Sequence, residues 1–368
     1  MGGAGGRWLD VHEPATGAVW AACPDGDEAV VAAAVAAAQN AFPAWSALPS
    51  AERARWLHRL ADAVEARIED FAQAESRDAG KPLALARALD IPRAIANLRF
   101  FAAAATQFAS ESHAAPDVVN YTLRQPLGVV ACISPWNLPL YLFTWKIAPA
   151  LAAGCCVVGK PSEVTPVTAW MLGEAARDIG FPPGVLNIVQ GTGPGVGEPL
   201  VTHPDVAAVS FTGSTAVGRR IAAHCAPALK KTSLELGGKN PPLVFADAPR
   251  AGLVDAVARS AFLNSGQICL CGSRVLVQDA YYDEFRDALV AKARTMVVGD
   301  PLDAGTDLGP VVSAAHHATV QGGRRSRAPA GCAPHVSSGF KWRLPRRRCG
   351  WPLTLRRAGT DRARASAT

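Results

Sequence analysis

Apolar residues recur along the chain with two different spacings, one typical of helices and one typical of strands. In residues 25–48, 51–75 and 84–108 they return every three or four positions, which is the spacing of an amphipathic helix. Pro92 lies inside the third stretch, where a proline kinks a helix or makes it restart. The pattern therefore predicts three N-terminal helices, the third with a break at Pro92.

Short, continuous apolar runs follow, and helix-like stretches separate some of them. The runs are residues 128–133, 155–158, 185–189, 206–211 and 242–245, with helical patterns at 167–179 and 216–225. Such runs between helices are typical of strands buried on both faces of a parallel sheet. A second set of elements is a helix at 250–263, a strand at 273–277 and a helix at 281–297, while residues 120–124 alternate like an exposed strand. The pattern predicts an α/β fold.

Composition indicates a soluble globular protein of roughly two domains, with 49% hydrophobic and 18% charged residues. The N-terminus lacks a basic segment followed by an apolar one, so no secretory signal is predicted. The most apolar region, residues 126–159, is interrupted by prolines, Asn137 and Lys146, which makes it a poor membrane span. The nine cysteines show no C-x-x-C spacing, which predicts a cytoplasmic protein with reduced thiols and neither zinc nor disulfides.

Charge is distributed unevenly, with a change near residue 323. Residues 324–368 contain eleven Arg and one Lys against a single acid, a net +11, so the rest of the chain is acidic at −5. No apolar period persists in this basic tail, which predicts a disordered segment. Its few aromatics do not interleave with the arginines, so nucleic-acid binding is not expected. Frame-shifted reading of a G+C-rich gene is the preferred hypothesis for its origin.

Two short motifs carry candidate covalent chemistry. The first is E-L-G-G-K at residues 235–239, and the second is G-Q-I-C at residues 266–269. An ordinary thiol, with a pKa of about 8.5, is mostly protonated at neutral pH and needs activation before it attacks a carbonyl. Glu235 could act as the general base for Cys269 or for a water. The alternative is that Cys269 is a buried structural cysteine.

Three segments could hold a dinucleotide. The run 206–211 leads through Thr212, Gly213 and Ser214 into a helix, and a helix N-terminus attracts phosphate, although Ser214 could be only an N-cap. Lys160 and Glu163 follow a strand and could hold ribose hydroxyls, or they could form a solvated turn. The glycines of residues 191–197 do not form G-x-G-x-x-G, so that segment is interpreted as a loop.

Five motifs occur in a fixed order over more than a hundred residues. They are P-W-N-L-P (135–139), K-P-S-E (160–163), F-T-G-S (211–214), E-L-G-G-K (235–239) and G-Q-I-C (266–269). Together they resemble the NAD(P)-dependent aldehyde dehydrogenases, and the likeness runs from about residue 11 to residue 322. The resemblance implies a Rossmann-like dinucleotide-binding domain at 1–238, followed by an incomplete α/β catalytic domain at 239–323. A hairpin near 108–126 would serve oligomerisation, since complete family members form homo-oligomers.

The resemblance also assigns roles to single residues. It implies that Cys269 is the nucleophile, that Glu235 is the general base, and that the Asn137 amide joins the Cys269 backbone N–H as the oxyanion hole. Lys160 and Glu163 would bind the adenosine ribose and Ser214 the pyrophosphate. The whole implied cofactor set is Ser134, Trp136, Lys160, Ser162, Glu163, Gly213, Ser214 and Gly237, with no metal. Because Glu163 would repel a 2′-phosphate, NAD is expected rather than NADP.

Substrate and completeness are further expectations from this resemblance. Residues 89–93, 99–101 and 136–146 look most like the branch acting on 2-aminomuconic and 2-hydroxymuconic semialdehydes, which arise from aromatic-ring breakdown. A generic aliphatic aldehyde or another semialdehyde is the alternative, and spacing places no cationic residue in the pocket. No E-x-F-G-P segment follows residue 323, so the chain is expected to be truncated or frame-shifted there. A non-catalytic remnant with weak dinucleotide binding or esterase activity is the second hypothesis.

Overall fold

A computed structural model describes residues 6–326 and 355–358. The chain divides into two compact units, residues 1–237 and 238–368. The domain boundary expected from the resemblance lies one residue further along, after residue 238. Each unit is described below by itself.

The first unit contains nine strands and nine α-helices within its described residues. They are β1 (Trp8–His12), β2 (Val19–Pro24), α1 (Glu28–Ala47), α2 (Ser50–Glu65), α3 (Ile68–Ala79), α4 (Leu83–Leu85), α5 (Ile91–Thr106), β3 (Ser112–Ala115), β4 (Val118–Tyr121), β5 (Val129–Ile133), α6 (Pro139–Ala152), β6 (Cys156–Lys160), α7 (Val167–Asp178), β7 (Leu186–Ile188), α8 (Glu198–Thr202), β8 (Val206–Gly213), α9 (Thr215–Cys225) and β9 (Lys231–Leu236). Two π-helices, Ala86–Asp90 and Gly193–Gly197, and a 3₁₀ turn, Ala226–Ala228, complete it.

A five-stranded parallel sheet in the order β7-β6-β5-β8-β9 forms the centre of this unit. Every residue of β5 and β6 is buried, as the continuous apolar runs predicted. Helices α1, α6 and α7 pack their apolar residues into the same core. The prediction of an α/β fold with a buried parallel sheet is confirmed.

Three local predictions in the first unit are wrong. Residues 51–75 form two helices rather than one, because Arg67 leaves helical backbone between α2 and α3 with φ −119°. The exposed strand predicted at 120–124 lies at Val118–Tyr121, so only Asn120 and Tyr121 belong to it; it pairs with Ser112–Ala115 as an exposed hairpin. The segment interpreted as a loop contains the π-helix Gly193–Gly197, whose N-terminus is capped by the Thr192 hydroxyl. The backbone keeps helical angles through Asp90 and Ile91, and the irregularity near Pro92 is the π-helix Ala86–Asp90, which runs directly into α5.

The second unit has a separate parallel sheet and its own core. Its elements are β10 (Leu243–Val244), α10 (Leu253–Phe262), a 3₁₀ turn (Leu263–Gly266), β11 (Val275–Gln278), a 3₁₀ turn (Asp279–Tyr281), α11 (Tyr282–Thr295), α12 (Ala314–Ser326) and β12 (Leu355–Ala358). The strand order is β10-β11-β12. Val257, Val277 and Phe285 are among the buried residues between this sheet and its helices.

Only two pieces of the basic tail belong to the described residues. Residues 324–326 end α12, and Leu355–Ala358 pairs in parallel with β11. These two pieces have regular structure where the sequence predicted disorder. For Leu355–Ala358 the reason is that strand β11 offers an edge whose backbone groups need partners. The remaining tail residues, 327–354 and 359–368, lie outside the described part, so the disorder expected there stays a prediction.

Candidate functional site

The predicted cofactor residues of the first unit follow neighbouring strands at one edge of the sheet. Strand β5 lies between β6 and β8, so the chain leaves it toward one side for β6 and β7 and toward the other for β8 and β9. In open α/β sheets, ligands bind outside the carboxyl ends of the strands at such a switch point. The residues that end or follow β5, β6, β8 and β9 are therefore in the position where a dinucleotide fits.

Lys160 and Glu163 form an ion pair at the end of β6. Lys160 Nζ lies 3.0 Å from Glu163 Oε2 and donates to the Pro161 carbonyl at 3.0 Å. The Lys160 side chain is 4% exposed, so for Lys160 the solvated-turn alternative is wrong, whereas Glu163 does lie in a turn and its side chain is 34% exposed. The Ser162 hydroxyl is buried and accepts the Val164 N–H at 3.2 Å. A pair whose carboxylate is half-buried but still reached by solvent is suited to hydroxyl groups of a ribose.

Ser214 directly follows β8 and precedes Thr215, the first residue of α9. Its hydroxyl accepts the Val217 N–H at 3.3 Å, so Ser214 is an N-cap, which was the structural alternative to a phosphate-binding role. An N-cap does not prevent phosphate binding, because other N–H groups of the first turn remain directed outward. At Gly213 an added Cβ would lie 2.4 Å from the Phe211 ring, so any other residue would have to displace that ring.

The remaining predicted cofactor residues follow β5 and β9. Ser134 is buried, and its N–H donates to the Lys160 carbonyl at 3.1 Å, which joins the ends of β5 and β6. The Trp136 carbonyl accepts the Thr165 hydroxyl at 3.4 Å. Gly237 has open space where a Cβ would be. The strand ends thus bring all eight predicted cofactor residues to one edge of one sheet.

Asn137 lies in the turn between β5 and α6, and a buried charged cluster contacts this turn. Lys81 Nζ donates to the Asn137 carbonyl at 3.2 Å, and the Leu140 N–H donates to Glu75 Oε2 at 3.4 Å. Both contacts join segments more than fifty residues apart in sequence. Sequence reasoning missed this cluster because no spacing rule connects its members.

Glu235 lies near the end of β9, next to Thr212 of β8, and is exposed. Lys146 of α6 is almost fully buried and its Nζ lies 3.4 Å from the Ser210 hydroxyl. Burial lowers the pKa of Lys146, while the charges of Cys132 and Glu235 oppose that effect. Sequence reasoning treated Lys146 only as a break in an apolar region. Its position as the single charged residue within 126–159 was the signal that could have marked it.

The predicted nucleophile of the second unit follows a left-handed backbone turn. Asn264, Ser265 and Gly266 have φ of 53°, 57° and 75°, a region that L-residues other than Asn and Asp rarely adopt. The Ser265 hydroxyl donates to the Gly309 carbonyl at 2.8 Å, and Gln267 Oε1 accepts the Val312 N–H at 3.0 Å. The Asn240 amide donates to the Cys269 carbonyl at 2.6 Å. These contacts hold the backbone on both sides of the left-handed turn.

Cys269 differs from the other cysteines in its exposure. Of the seven cysteines within the described residues, it is exposed and the other six are buried. Burial raises the pKa of Cys23 to about 11 and of Cys132 to about 12. Burial also raises the pKa of Cys271, two residues from Cys269. A high thiol pKa suppresses the reactive thiolate, so Cys23, Cys132 and Cys271 are unsuited to nucleophilic attack. Because Cys269 is exposed, the alternative that it is a buried structural cysteine is wrong.

Two other classes of site are absent from the described ranges, 6–326 and 355–358. Among these residues no three His, Cys, Asp or Glu side chains are grouped so that they could hold a metal ion. No helix in the same ranges has the length and apolar character needed to cross a membrane.

Comparison with known proteins identifies relatives of this chain. A sequence model described as "Aldehyde dehydrogenase family" matches residues 2–338. The chain is 48% identical to 2-aminomuconic semialdehyde dehydrogenase of Danio rerio, covering 94% of this chain and 71% of that protein. It is 44% identical to 2-hydroxymuconic semialdehyde dehydrogenase of Pseudomonas sp. strain CF600, covering 87% and 67%. With the 2-aminomuconic semialdehyde dehydrogenase of Homo sapiens the identity is 50%, and the chain spans 64% of that protein's length.

Solved structures agree with the sequence relatives. Betaine aldehyde dehydrogenase from Staphylococcus aureus in complex with NAD⁺ matches with a TM-score of 0.88 and 34% identity, covering 91% of this chain and 67% of that one. PnpE in complex with nicotinamide adenine dinucleotide matches with a TM-score of 0.85 and 42% identity, covering 88% and 66%. The resemblance inferred from the five motifs is confirmed: the chain belongs to the aldehyde dehydrogenase family.

Proposed function

We propose that the protein oxidises an aldehyde to the carboxylic acid in an NAD-dependent reaction that passes through a covalent intermediate on Cys269. The exposure of this thiol, which follows a left-handed turn held by hydrogen bonds on both sides, is the observation that carries the proposal. Family membership and relatives named as semialdehyde dehydrogenases support it.

The proposed chemistry assigns one step to each of three residues. The Cys269 thiolate attacks the aldehyde carbon, forming a C–S bond and placing the carbonyl electron pair on oxygen, where the Asn137 amide donates a hydrogen bond. Bound NAD supplies a hydride acceptor, so the carbon is oxidised and a thioester remains on Cys269. Glu235 then takes a proton from water, whose oxygen attacks the thioester carbon. The C–S bond breaks, the acid leaves and the Cys269 thiolate returns.

NAD rather than NADP is the proposed cofactor because the ion pair at the end of β6 presents a carboxylate. Replacing Glu163 by glutamine should therefore lower the preference for NAD over NADP by about tenfold or more, equivalent to ~1.4 kcal/mol, since repulsion of a 2′-phosphate is lost. Calorimetric Kd values for both cofactors measure this ratio. Glu111→Gln, which changes an exposed carboxylate before the β3–β4 hairpin, is the matched control. A ratio equal to that of the control would exclude Glu163 as the discriminating residue.

The proposed substrate is a semialdehyde with a carboxylate, as in the muconic series. Arg93 supports this choice. It lies in the first turn of α5, its guanidinium carbon is 5.5 Å from the centre of the Tyr141 ring, and Nη2 donates to the Tyr141 hydroxyl at 3.4 Å. Tyr141 is four residues beyond Asn137. An exposed guanidinium at this place is suited to the distant carboxylate of such a substrate.

Replacing Arg93 by alanine tests that choice. KM for a semialdehyde carrying a carboxylate should rise by roughly tenfold to a hundredfold, the effect of about 1.5–3 kcal/mol from one charged hydrogen bond. KM for an uncharged aldehyde of equal length should stay unchanged. Arg99→Ala is the control, because Arg99 lies on the same helix but pairs with Asp62 and Glu65. Equal changes for both aldehydes would reject Arg93 as a carboxylate anchor.

A non-catalytic protein that binds dinucleotide is the second candidate function. It is retained because the chain spans only about two thirds of the length of several relatives. Aldehyde-dependent formation of NADH by this polypeptide, followed at 340 nm, separates the two. Steady turnover supports the dehydrogenase. NAD binding without turnover, or hydrolysis of an activated ester alone, supports the second candidate.

A further inference from the structure

Three charged side chains form a buried cluster that the proposed steps do not use. Lys81, Glu75 and Asp90 have side chains with no exposed surface. Lys81 Nζ donates to Asp90 Oδ2 at 2.6 Å and to Glu75 Oε1 at 3.5 Å. Burial alone would lower the pKa of Lys81, but the two carboxylates raise it above its ordinary value, so the ammonium group stays charged.

The cluster contacts both ends of the segment 137–140, which consists of the end of the turn after β5 and the first two residues of α6. An ammonium group has three donors, and the third donor of Lys81 contacts the Asn137 carbonyl at 3.2 Å. At the other end, Glu75 Oε2 accepts the Leu140 N–H at 3.4 Å and the Thr168 hydroxyl at 2.8 Å. All three donors of Lys81 therefore have partners, and one of these partners belongs to the turn that carries the proposed oxyanion donor.

Asp90 reaches Lys81 from an unusual element. It is the last residue of the π-helix Ala86–Asp90, directly before α5. π-Helical turns are rare in proteins, and those that occur often lie at functional sites. Buried ion pairs are also weak stabilisers, because removing two charges from water opposes their attraction. A gain in stability therefore does not explain why this buried cluster exists. Accurate placement of the Asn137 backbone does explain it.

We propose that Lys81 is a positioning residue that fixes the Asn137 carbonyl, and thereby the amide side chain, at the place where the oxyanion develops. The inference rests on the proposed function, since only a dehydrogenase of this kind needs that donor. Small displacements of a catalytic donor reduce turnover strongly, and a hydrogen bond from a buried charged group restrains the backbone more than a solvent-exposed one.

The double variant Lys81→Met, Asp90→Asn tests the proposal. It removes both charges of the short pair together. Glu75 remains, but burial raises its pKa to about 7, and loss of the Lys81 charge raises that pKa further, so Glu75 takes up a proton instead of remaining a buried anion. We expect amide hydrogen exchange in residues 134–142 to become at least tenfold faster while the melting temperature stays near that of the wild type. We also expect kcat for aldehyde oxidation to fall at least tenfold with little change in KM. Arg87→Met is the matched control, since it changes an exposed residue of the same π-helix.

Exchange in residues 134–142 at the rate of the Arg87→Met control would overturn the proposal. Thr168→Val gives a second, milder variant that removes one hydroxyl donor to Glu75, and it decides alone if the double variant does not fold. Twofold to fivefold faster exchange in the same segment is then the supporting result, and an unchanged rate is the opposing one. Hydrogen exchange needs no activity, so absent NADH formation by the wild type would reject the proposed function without deciding the role of Lys81.

Discussion

Replacing Cys269 by alanine should abolish aldehyde oxidation. No thioester can form without the thiol, and removal of a covalent nucleophile typically lowers turnover by about 10⁶-fold. The protein should remain folded, because substitutions at exposed positions usually change stability by no more than about 0.5 kcal/mol. Intact-mass spectrometry after mixing with an activated ester should show an acyl adduct on the wild type and none on the variant.

Cys271→Ala is the matched control for this experiment. Cys271 is two residues away, is buried, and has a raised thiol pKa, so its replacement should leave turnover within about threefold of the wild type. An acyl adduct on the Cys269→Ala protein would reject Cys269 as the nucleophile. Loss of acylation in Cys271→Ala with Cys269 intact would transfer the role to Cys271.

Replacing Asn137 by alanine should lower kcat by about 10²–10³-fold, or roughly 3–4 kcal/mol. The amide is proposed to donate to the oxygen that becomes negative in the transition state, so KM should change much less than kcat. Steady-state rates over a range of aldehyde concentrations measure both constants.

Asn120→Ala, in the exposed hairpin strand β4, is the control for this variant and should behave as the wild type. A decrease in kcat of less than about threefold for Asn137→Ala would count against the oxyanion assignment. An increase in KM with kcat unchanged would instead indicate that Asn137 binds the substrate and transition state equally.

The fold could be predicted where a buried strand appears in the sequence as a continuous apolar run. Strands β5, β6 and β8 are such runs, and a parallel α/β sheet follows from them. Strand β9 was missed because its sequence, K-T-S-L-E-L, is mostly polar and so shows no apolar run. It lies at the edge of the sheet, where polar residues can remain exposed. Helix α6 was missed because it is apolar on nearly all sides, so it shows no polar face from which a helical period can be detected.

The site was predictable only as far as its motifs are local. Cys269 and Glu235 could be proposed as site residues because each lies in a short segment with a chemical reason for its residues. Lys146 and Lys81 were not found as site residues, because their meaning depends on partners that folding brings together. The contacts of Lys81 with Asn137 and of Glu75 with Leu140 join residues 56 and 65 positions apart. No periodicity in the sequence indicates which residues that far apart along the chain will come into contact.

The left-handed turn before Cys269 also determines when the proposed nucleophile acquires its geometry during synthesis. Its stabilising partners, Gly309 and Val312, lie 44 and 45 positions after Ser265 and Gln267. At a translation rate of ~5–20 residues per second, those partners are added about 2–9 s after the turn itself. In that interval the turn lacks the contacts that hold it. Cys269 has then been synthesised, but the backbone that positions it is not yet fixed. Chemical competence of the thiol is therefore a late event in the biogenesis of this protein.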